Sequence, residues 1–389
     1  MDRSSRTTYR IPFNRPCLTG NEWKYLADAV RMGHISGDGF YTRRCHEFLE
    51  HELGVSKALL TTSCTHALEL AALLLDLEPG DEVIMPSFTF VSTANAVVLR
   101  GATPVFGDIR PDTLNLDEKN LPSLVTSKTR AIVPVHYAGV ACEMDAILEI
   151  AHKKNLAVIE DNAHGLFGQY RGRFLGTFGC FSTQSFHETK NVTCGEGGAL
   201  LINEERYVDR AEIIREKGTN RSLFFRGQVD KYSWVDIGSS YLPSDILAAF
   251  LLSQLEAWQE IQAARRRIWQ TYYDGLKAWA DRGGVGLPFV PSHCAQAYHM
   301  FYLLLPSLKD RQALISHLRE RGILAVFHYL PLHLSEYARR WDGREGDCPV
   351  TEDVSARLLR LPFFFSLTDS EQAQVIDSVC SFVPQKAGH

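Results

Sequence analysis

The sequence is poor in what would mark several protein classes. None of its nine cysteines falls in a Cys-x-x-Cys pair, which disfavours a zinc ribbon and a thioredoxin-like centre. An odd, scattered set reads as reduced thiols and a cytoplasmic location. No Gly-x-Gly-x-x-Gly run follows a strand pattern, which argues against a nicotinamide dehydrogenase. No His, Cys and carboxylate grouping has metal-ligand spacing, so no metal is expected. Positive charge is not in excess: 41 Lys and Arg against 46 Asp and Glu leave a formal charge of −5, unlike most nucleic-acid binders. The longest apolar stretch, Ala67 to Leu77, holds Glu69 and Asp76 and is far too short to span a membrane. Residues 1–10 are basic without a following apolar stretch, so no export signal is expected. Repeats and low-complexity tracts are also lacking.

What is present is ordinary globular composition over 389 residues, enough for two or three domains. In the first 200 residues helical patterns (Asn21–Met32, Thr65–Leu77, Val91–Leu99, Met144–Lys153) alternate with short apolar runs. Those runs are Glu82–Met85, Thr103–Phe106, Ala131–His136 and Leu156–Ile159. The alternation predicts an α/β fold with a mostly parallel sheet. Cys180–Phe186 and Gly198–Ile202 read as further strands around a glycine-rich turn. Beyond residue 204 come helical stretches over Glu205–Lys217 and Ser244–Ala280. An α+β pattern follows: strand His299–Leu305, helix Arg311–Glu320, strand Ile323–Phe327, helix Thr351–Leu359 and helix Ser370–Phe382. The expected division is a large α/β domain over 1–255 and a small α+β domain over 256–389.

Four features in the large domain carry chemistry. Leu156–Asp161 is an apolar strand that ends in two carboxylates, and ligands in open α/β sheets collect at the carboxyl ends of strands. Lys190 lies between two strand patterns, close to Gly195, Gly197 and Gly198; a lysine of lowered pKa forms a Schiff base with an aldehyde. Ser63, Cys64 and Thr65 precede an apolar helix whose first amides suit a phosphate. Phe90 follows a strand, where an aromatic ring can stack on a planar cofactor. Each has a plainer reading alone: a helix cap for Asp161 or Ser63, a solvated loop for Lys190, core packing for Phe90. Together they supply what pyridoxal 5′-phosphate needs.

With 29 residues from Asp161 to Lys190, the chain resembles the DegT/DnrJ/StrS sugar aminotransferases, a branch of the fold-type-I PLP-dependent aminotransferase superfamily. The resemblance rests on Glu82–Asn95, Val133–Gly139, Glu160–Asp161, Ser185–Gly198 and Phe327–His333. Ile35–Gly39, Tyr137–Asp145, Arg215–Ser222 and Phe224–Tyr232 extend it. It implies that Lys190 holds the cofactor and later carries the migrating proton, and that Asp161 pairs with the pyridine nitrogen. His164 would support that acid or the ring oxygen, Phe90 would stack, and Ser185 with the Cys64 and Thr65 amides would take the phosphate.

In a homodimer with shared active sites, Ser240 would stand where relatives commonly place an asparagine from the partner subunit. Arg221, Arg226 and Lys231 are candidates for a nucleotide pyrophosphate, since arginine grips such oxygens bidentately, and His328, Tyr329 and His333 for the sugar. The implied reaction passes an amino group from L-glutamate, through pyridoxamine phosphate, to C4 of dTDP-4-keto-6-deoxy-D-glucose, giving dTDP-4-amino-4,6-dideoxy-D-galactose for surface polysaccharide. A 3-keto-sugar aminotransferase and a non-catalytic cofactor-binding sensor or scaffold are the alternatives. A pyridoxamine-dependent dehydratase, associated with histidine at the position of Lys190, is disfavoured.

Overall fold

A computed structural model describes residues 9–384 of the chain. Most of the basic opening segment, residues 1–8, lies outside the described residues. Strands are numbered in chain order: β1 (Lys57–Thr61), β2 (Glu82–Pro86), β3 (Thr103–Gly107), β4 (Thr129–Ile132), β5 (Ala157–Asp161), β6 (Gln169–Tyr170), β7 (Arg173–Phe174), β8 (Phe181–Ser185), β9 (Gly198–Ile202), β10 (Cys294–Ala295), β11 (Tyr302–Leu304) and β12 (Leu358–Arg360). Seven of them form the central sheet in the order β1-β9-β8-β5-β4-β2-β3. Only β9 runs against the rest, because both of its pairings, with β1 and with β8, are antiparallel. The fold is therefore α/β with a mostly parallel sheet. The carboxyl ends of β1, β2, β5 and β8, and the start of β9, share one edge. That edge is where a ligand is expected.

The strands are apolar because both faces are covered. Cys64–Leu74, a helix with seven of its eleven residues buried, packs with Leu59, Met85, Ile159 and Leu200 in one core. Each buried leucine there contributes roughly 1.5–3 kcal/mol. Phe40–Leu53 and Asp245–Glu256 cover the other face through Leu49, Leu60, Leu201 and Leu252. Trp258–Gly283 leads to a separate apolar cluster with β11 and the helices Leu308–Glu320 and Asp369–Cys380, which Ile11 joins from the other end of the chain.

Several expected elements change. The stretch read as one or two helices over 244–280 is two, Asp245–Glu256 and Trp258–Gly283. No strand forms over 323–327: Ile323 pairs only with Ile11 and Val326 only with Arg360, as isolated bridges. The helix expected over 351–359 is Pro349–Arg357, and the apolar residues after it turn into β12 against β11. Phe40–Leu53 and β1 had no counterpart in the sequence reading.

Candidate active site

A cleft of about 650 Å³ opens at the edge where β1, β2, β5 and β8 end, and it gathers residues from both ends of the chain. Lys190 sits on the loop between β8 and β9. That loop is tied to itself by backbone bonds from Lys190 to His187 (2.9 Å) and from Glu188 to Gly195 (2.8 Å). Burial pushes the Lys190 amine down to about 8, although the neighbouring Cys64 and Asp161 oppose the shift. Asp161 closes β5 and is 5% exposed. Its carboxylate accepts hydrogen bonds from the Thr93 hydroxyl at 2.7 Å and the Ala163 amide at 3.2 Å. Thr89 holds Thr93 in turn, at 2.9 Å. Burial still raises the Asp161 pKa, although those hydrogen bonds and the charge of Lys190 oppose the shift; such a carboxylate calls for a positively charged donor in the cleft.

Ser63 does not offer its hydroxyl to a ligand. It caps the helix Cys64–Leu74 by accepting from the His66 amide at 3.1 Å. The first helical amides, Cys64 and Thr65, are those a helix leaves without internal partners. Close approach of β9 to them requires Gly198, because a Cβ there would lie 2.4 Å from the Cys64 nitrogen. The Cys64 thiol, pushed up to about 12 by burial, stays protonated. Phe90 is 56% exposed at the opening of the cleft, 6.3 Å from the Tyr329 ring. Ser185 lines the cleft at the end of β8.

His164, His328 and Tyr329 meet on the opposite wall. The Tyr137 hydroxyl lies 2.7 Å from His328 Nδ1, and the Tyr329 hydroxyl 3.3 Å from His164 Nε2. His164 stacks on His299 at 4.2 Å. Burial drives the pKa of all three imidazoles far down, and Lys190 and Arg360 add to it. The buried His164 Nδ1 has no hydrogen-bond partner among the described residues. A pyridine ring bearing a phenolic oxygen and a phosphate fits a cleft lined by these groups.

Other expected residues do not join this cleft. His333 is 2% exposed and is held by Ser87 at 2.6 Å and Glu352 at 3.1 Å. It ties the loop before Phe90 to the helix Pro349–Arg357 and cannot line a sugar site. Arg221, Arg226 and Ser240 line a second hollow, with which the cleft shares no residue. Lys231 is exposed and lines neither. Thr93, Asn191, His299 and Arg360 escaped the sequence reading. Thr93 alone left a signal, its i, i+4 spacing from Thr89.

A half-buried lysine of weakened basicity and a buried aspartate at the open edge of this sheet fit a pyridoxal-phosphate enzyme of fold type I. The chain belongs to the DegT/DnrJ/EryC1/StrS aminotransferase family, whose model matches residues 16–380. It is 32% identical over 381 residues to the spore coat polysaccharide biosynthesis protein SpsC of Bacillus subtilis, covering 96% of this chain and 97% of that one. It is 31% identical over 388 residues to GDP-perosamine synthase of Escherichia coli O157:H7, covering 97% and 99%. Among solved structures, the PLP-form of the putative sugar aminotransferase Spr1654 from Streptococcus pneumoniae superposes with a TM-score of 0.87 at 27% identity, covering 95% and 97%. The cofactor is pyridoxal 5′-phosphate. No described helix is long and apolar enough to cross a membrane, and no metal-binding group of three or more His, Cys or carboxylate side chains occurs among the described residues.

Proposed function

We propose that the chain transfers an amino group from L-glutamate to C4 of dTDP-4-keto-6-deoxy-D-glucose, giving dTDP-4-amino-4,6-dideoxy-D-galactose, as a homodimer that shares its two sites. The observation that carries the reading is the meeting of Lys190 and Asp161 in one cleft, the amine made less basic and the acid's pKa raised by burial. When bound, pyridoxal phosphate supplies the aldehyde that receives the amino group and a ring that withdraws electrons from the reacting carbon.

The rest falls to the chain. Asp161, braced by Thr93, keeps a proton on the ring nitrogen. Lys190, with its amine near 8, holds the cofactor and, once displaced, carries a proton off the donor carbon and returns one to the sugar carbon in the second half. His164 donates to the ring oxygen, and Phe90 with Tyr329 walls the cleft from water. Arg221, Arg226 and Ser240 would serve the partner's site, at the pyrophosphate and at the cofactor phosphate. Similar proteins include GDP-perosamine synthase and an aminotransferase involved in the biosynthesis of pseudoaminic acid, which supports a nucleotide-linked ketosugar as the acceptor class.

The test is incubation of the cofactor-loaded protein with glutamate and dTDP-4-keto-6-deoxyglucose, with NMR of the product. An axial amine at C4 is expected. An amine at C3 would overturn the substrate, and absence of any colour change with glutamate would overturn aminotransfer itself.

A further inference from the structure

Residues 297–299 lie just before β11, outside any helix or strand. Their backbone is nevertheless held at every turn. Ala297 donates its amide to the Gly139 carbonyl at 2.9 Å. Gly139 permits that approach, because an added Cβ would lie 2.9 Å from the Ala297 Cβ. The three carbonyls are each taken by a side chain from elsewhere. Asn191 donates to Ala297 at 2.5 Å. Arg265, 3% exposed, donates to Tyr298 at 2.8 Å and to His299 at 2.6 Å. Tyr298 itself is kept at φ 52°, a left-handed conformation that is unusual for a bulky side chain. Across this turn His299 lines the Lys190 cleft, whereas Tyr298 lines a different hollow beside the helix Trp258–Gly283. Strain that the surroundings enforce so fully points to a side chain whose placement matters.

The side chain so placed is His299, itself buried. Its ring stacks on His164, with centroids 4.2 Å apart and planes 16° from parallel. Its Nδ1 lies 3.0 Å from Asn191 Oδ1. The Ala297 carbonyl can only accept, so the Asn191 amide nitrogen faces it and the Asn191 oxygen faces the imidazole. Nδ1 of His299 therefore carries the proton and donates. Asn191 is buried too, and it directly follows Lys190. One amide thus joins the residue after Lys190 to the ring behind His164, while the backbone bonds of the Lys190 loop tie it chiefly to itself.

We infer that Asn191 and His299 work as one positioning device, which fixes where the Lys190 amine stands relative to His164. The inference rests on the aminotransferase reading above and deepens it, because Lys190 and His164 line that same cleft. One bond given and one accepted leave the Asn191 side chain a single orientation, and the backbone beside Lys190 is set with it. His299 carries the constraint on to His164 by a face-to-face contact. A misplacement of about 1 Å at a reacting group costs roughly 100-fold in rate, so the loss of either member is felt at Lys190 even though Lys190 is intact.

The experiment compares cofactor-loaded wild type with N191A, H299F and the double variant. H299F keeps a flat ring against His164 and loses the bond to Asn191. Urea melts establish that each protein is folded, and N191D, of nearly equal volume, replaces N191A if that variant does not fold. With glutamate at saturation, the rate of the cofactor's spectral change should fall about 10–100-fold in each single variant, with half-saturation by glutamate within about threefold of wild type. The double variant should be at most about threefold slower than the slower single one, since members of one device fail together. A single variant that keeps a rate within about threefold of wild type, even with a lowered urea midpoint, would overturn the inference in favour of a purely structural tie. Losses that multiply in the double variant would overturn it as well. Titration with pyridoxal phosphate needs no turnover: each single variant should bind it about tenfold more weakly, and the double variant no more weakly than that. A wild-type spectrum that ignores glutamate would sink the aminotransferase reading, and the titrations would still decide whether the two residues act as one.

Discussion

The two hollows of this chain hold their charges in opposite ways. In the Lys190 cleft, among the described residues, neither Asp161 nor Arg360 has an ion-pair partner within 4 Å, and His164 Nδ1 and Arg360 Nε have no hydrogen-bond partner. In the second hollow three of the four lining arginines are matched by carboxylates. Arg215 forks onto Asp38 at 2.8 and 3.1 Å, Arg221 meets Glu216 at 3.3 Å and Arg226 meets Glu212 at 2.8 Å. Buried unpaired groups cost free energy that only a ligand returns, so the cleft is built around something it must bind. Within the single chain Arg215, Lys217, Arg221 and Arg226 are already paired with carboxylates. An anion there must compete with carboxylates already in place, whereas in the cleft it has no rival.

The largest effect that separates the hollows should come from Lys190. K190A removes the only group able both to hold the cofactor and to carry the proton, so turnover should fall by roughly 10⁴-fold or more. The absorbance shift that accompanies cofactor attachment should vanish with it. Turnover within tenfold of wild type would break the assignment of the cleft.

A second consequence concerns stability without cofactor. The Lys190 amine sits near 8 when folded against an ordinary 10.5. Between those values the unfolded chain binds more protons than the folded one, so stability rises with pH from about 8 to about 10.5 and is flat below. K190M removes the buried amine. The cofactor-free variant should therefore be more stable than wild type at pH 7, by about 1–3 kcal/mol, and the gap should close as pH climbs through 8 towards 10.5. Urea melts at pH 7 and pH 10 measure this. A gap that widens with pH would show that the amine is not strained by burial.

How much of this was legible in the sequence divides along the same line as the hollows. Asp161, Phe90 and the Cys64–Thr65 turn were legible as candidates because each adjoins an apolar strand or helix pattern, and Lys190 because it lies between two strand patterns beside a glycine-rich turn. The parallel sheet was readable from the alternation of helix and strand patterns. Arg360 and His299 were not: both come from the far third of the chain, and only the packing of β12 and the residues before β11 against the β5 edge brings them to Lys190. His333 was misread for the converse reason. It neighbours His328 in sequence, but the turn at Pro331 sends it to Ser87 and Glu352. The strand expected over 323–327 failed because its edge finds only Ile11 and Arg360 as partners, one residue each.

Ion pairing predicts a smaller effect in the second hollow. R226A should weaken dTDP binding by about tenfold, since the guanidinium must first leave Glu212 and an exposed pair is worth at most about 1 kcal/mol. The response to glutamate should not change. E212Q, which frees Arg226 without removing it, should move dTDP affinity the other way. Equal dTDP affinity in all three proteins would mean that the Arg226–Glu212 pair serves the fold alone.

The smallest expected effect is at Ser240, whose backbone bridges Glu216 and whose side chain is exposed beside the arginines of the same hollow. A hydroxyl there can donate one hydrogen bond to a phosphate across a subunit boundary. S240A should raise the cofactor's dissociation constant by only about 3–10-fold, the worth of one such bond. S240N, whose amide has two donors, should hold the cofactor as tightly as wild type or more so. The decisive feature is concentration dependence. If the partner's phosphate is what Ser240 meets, the difference between S240A and wild type disappears when the protein is diluted until it is monomeric. A difference that persists in the monomer would assign Ser240 to its own chain and remove the argument for a shared site.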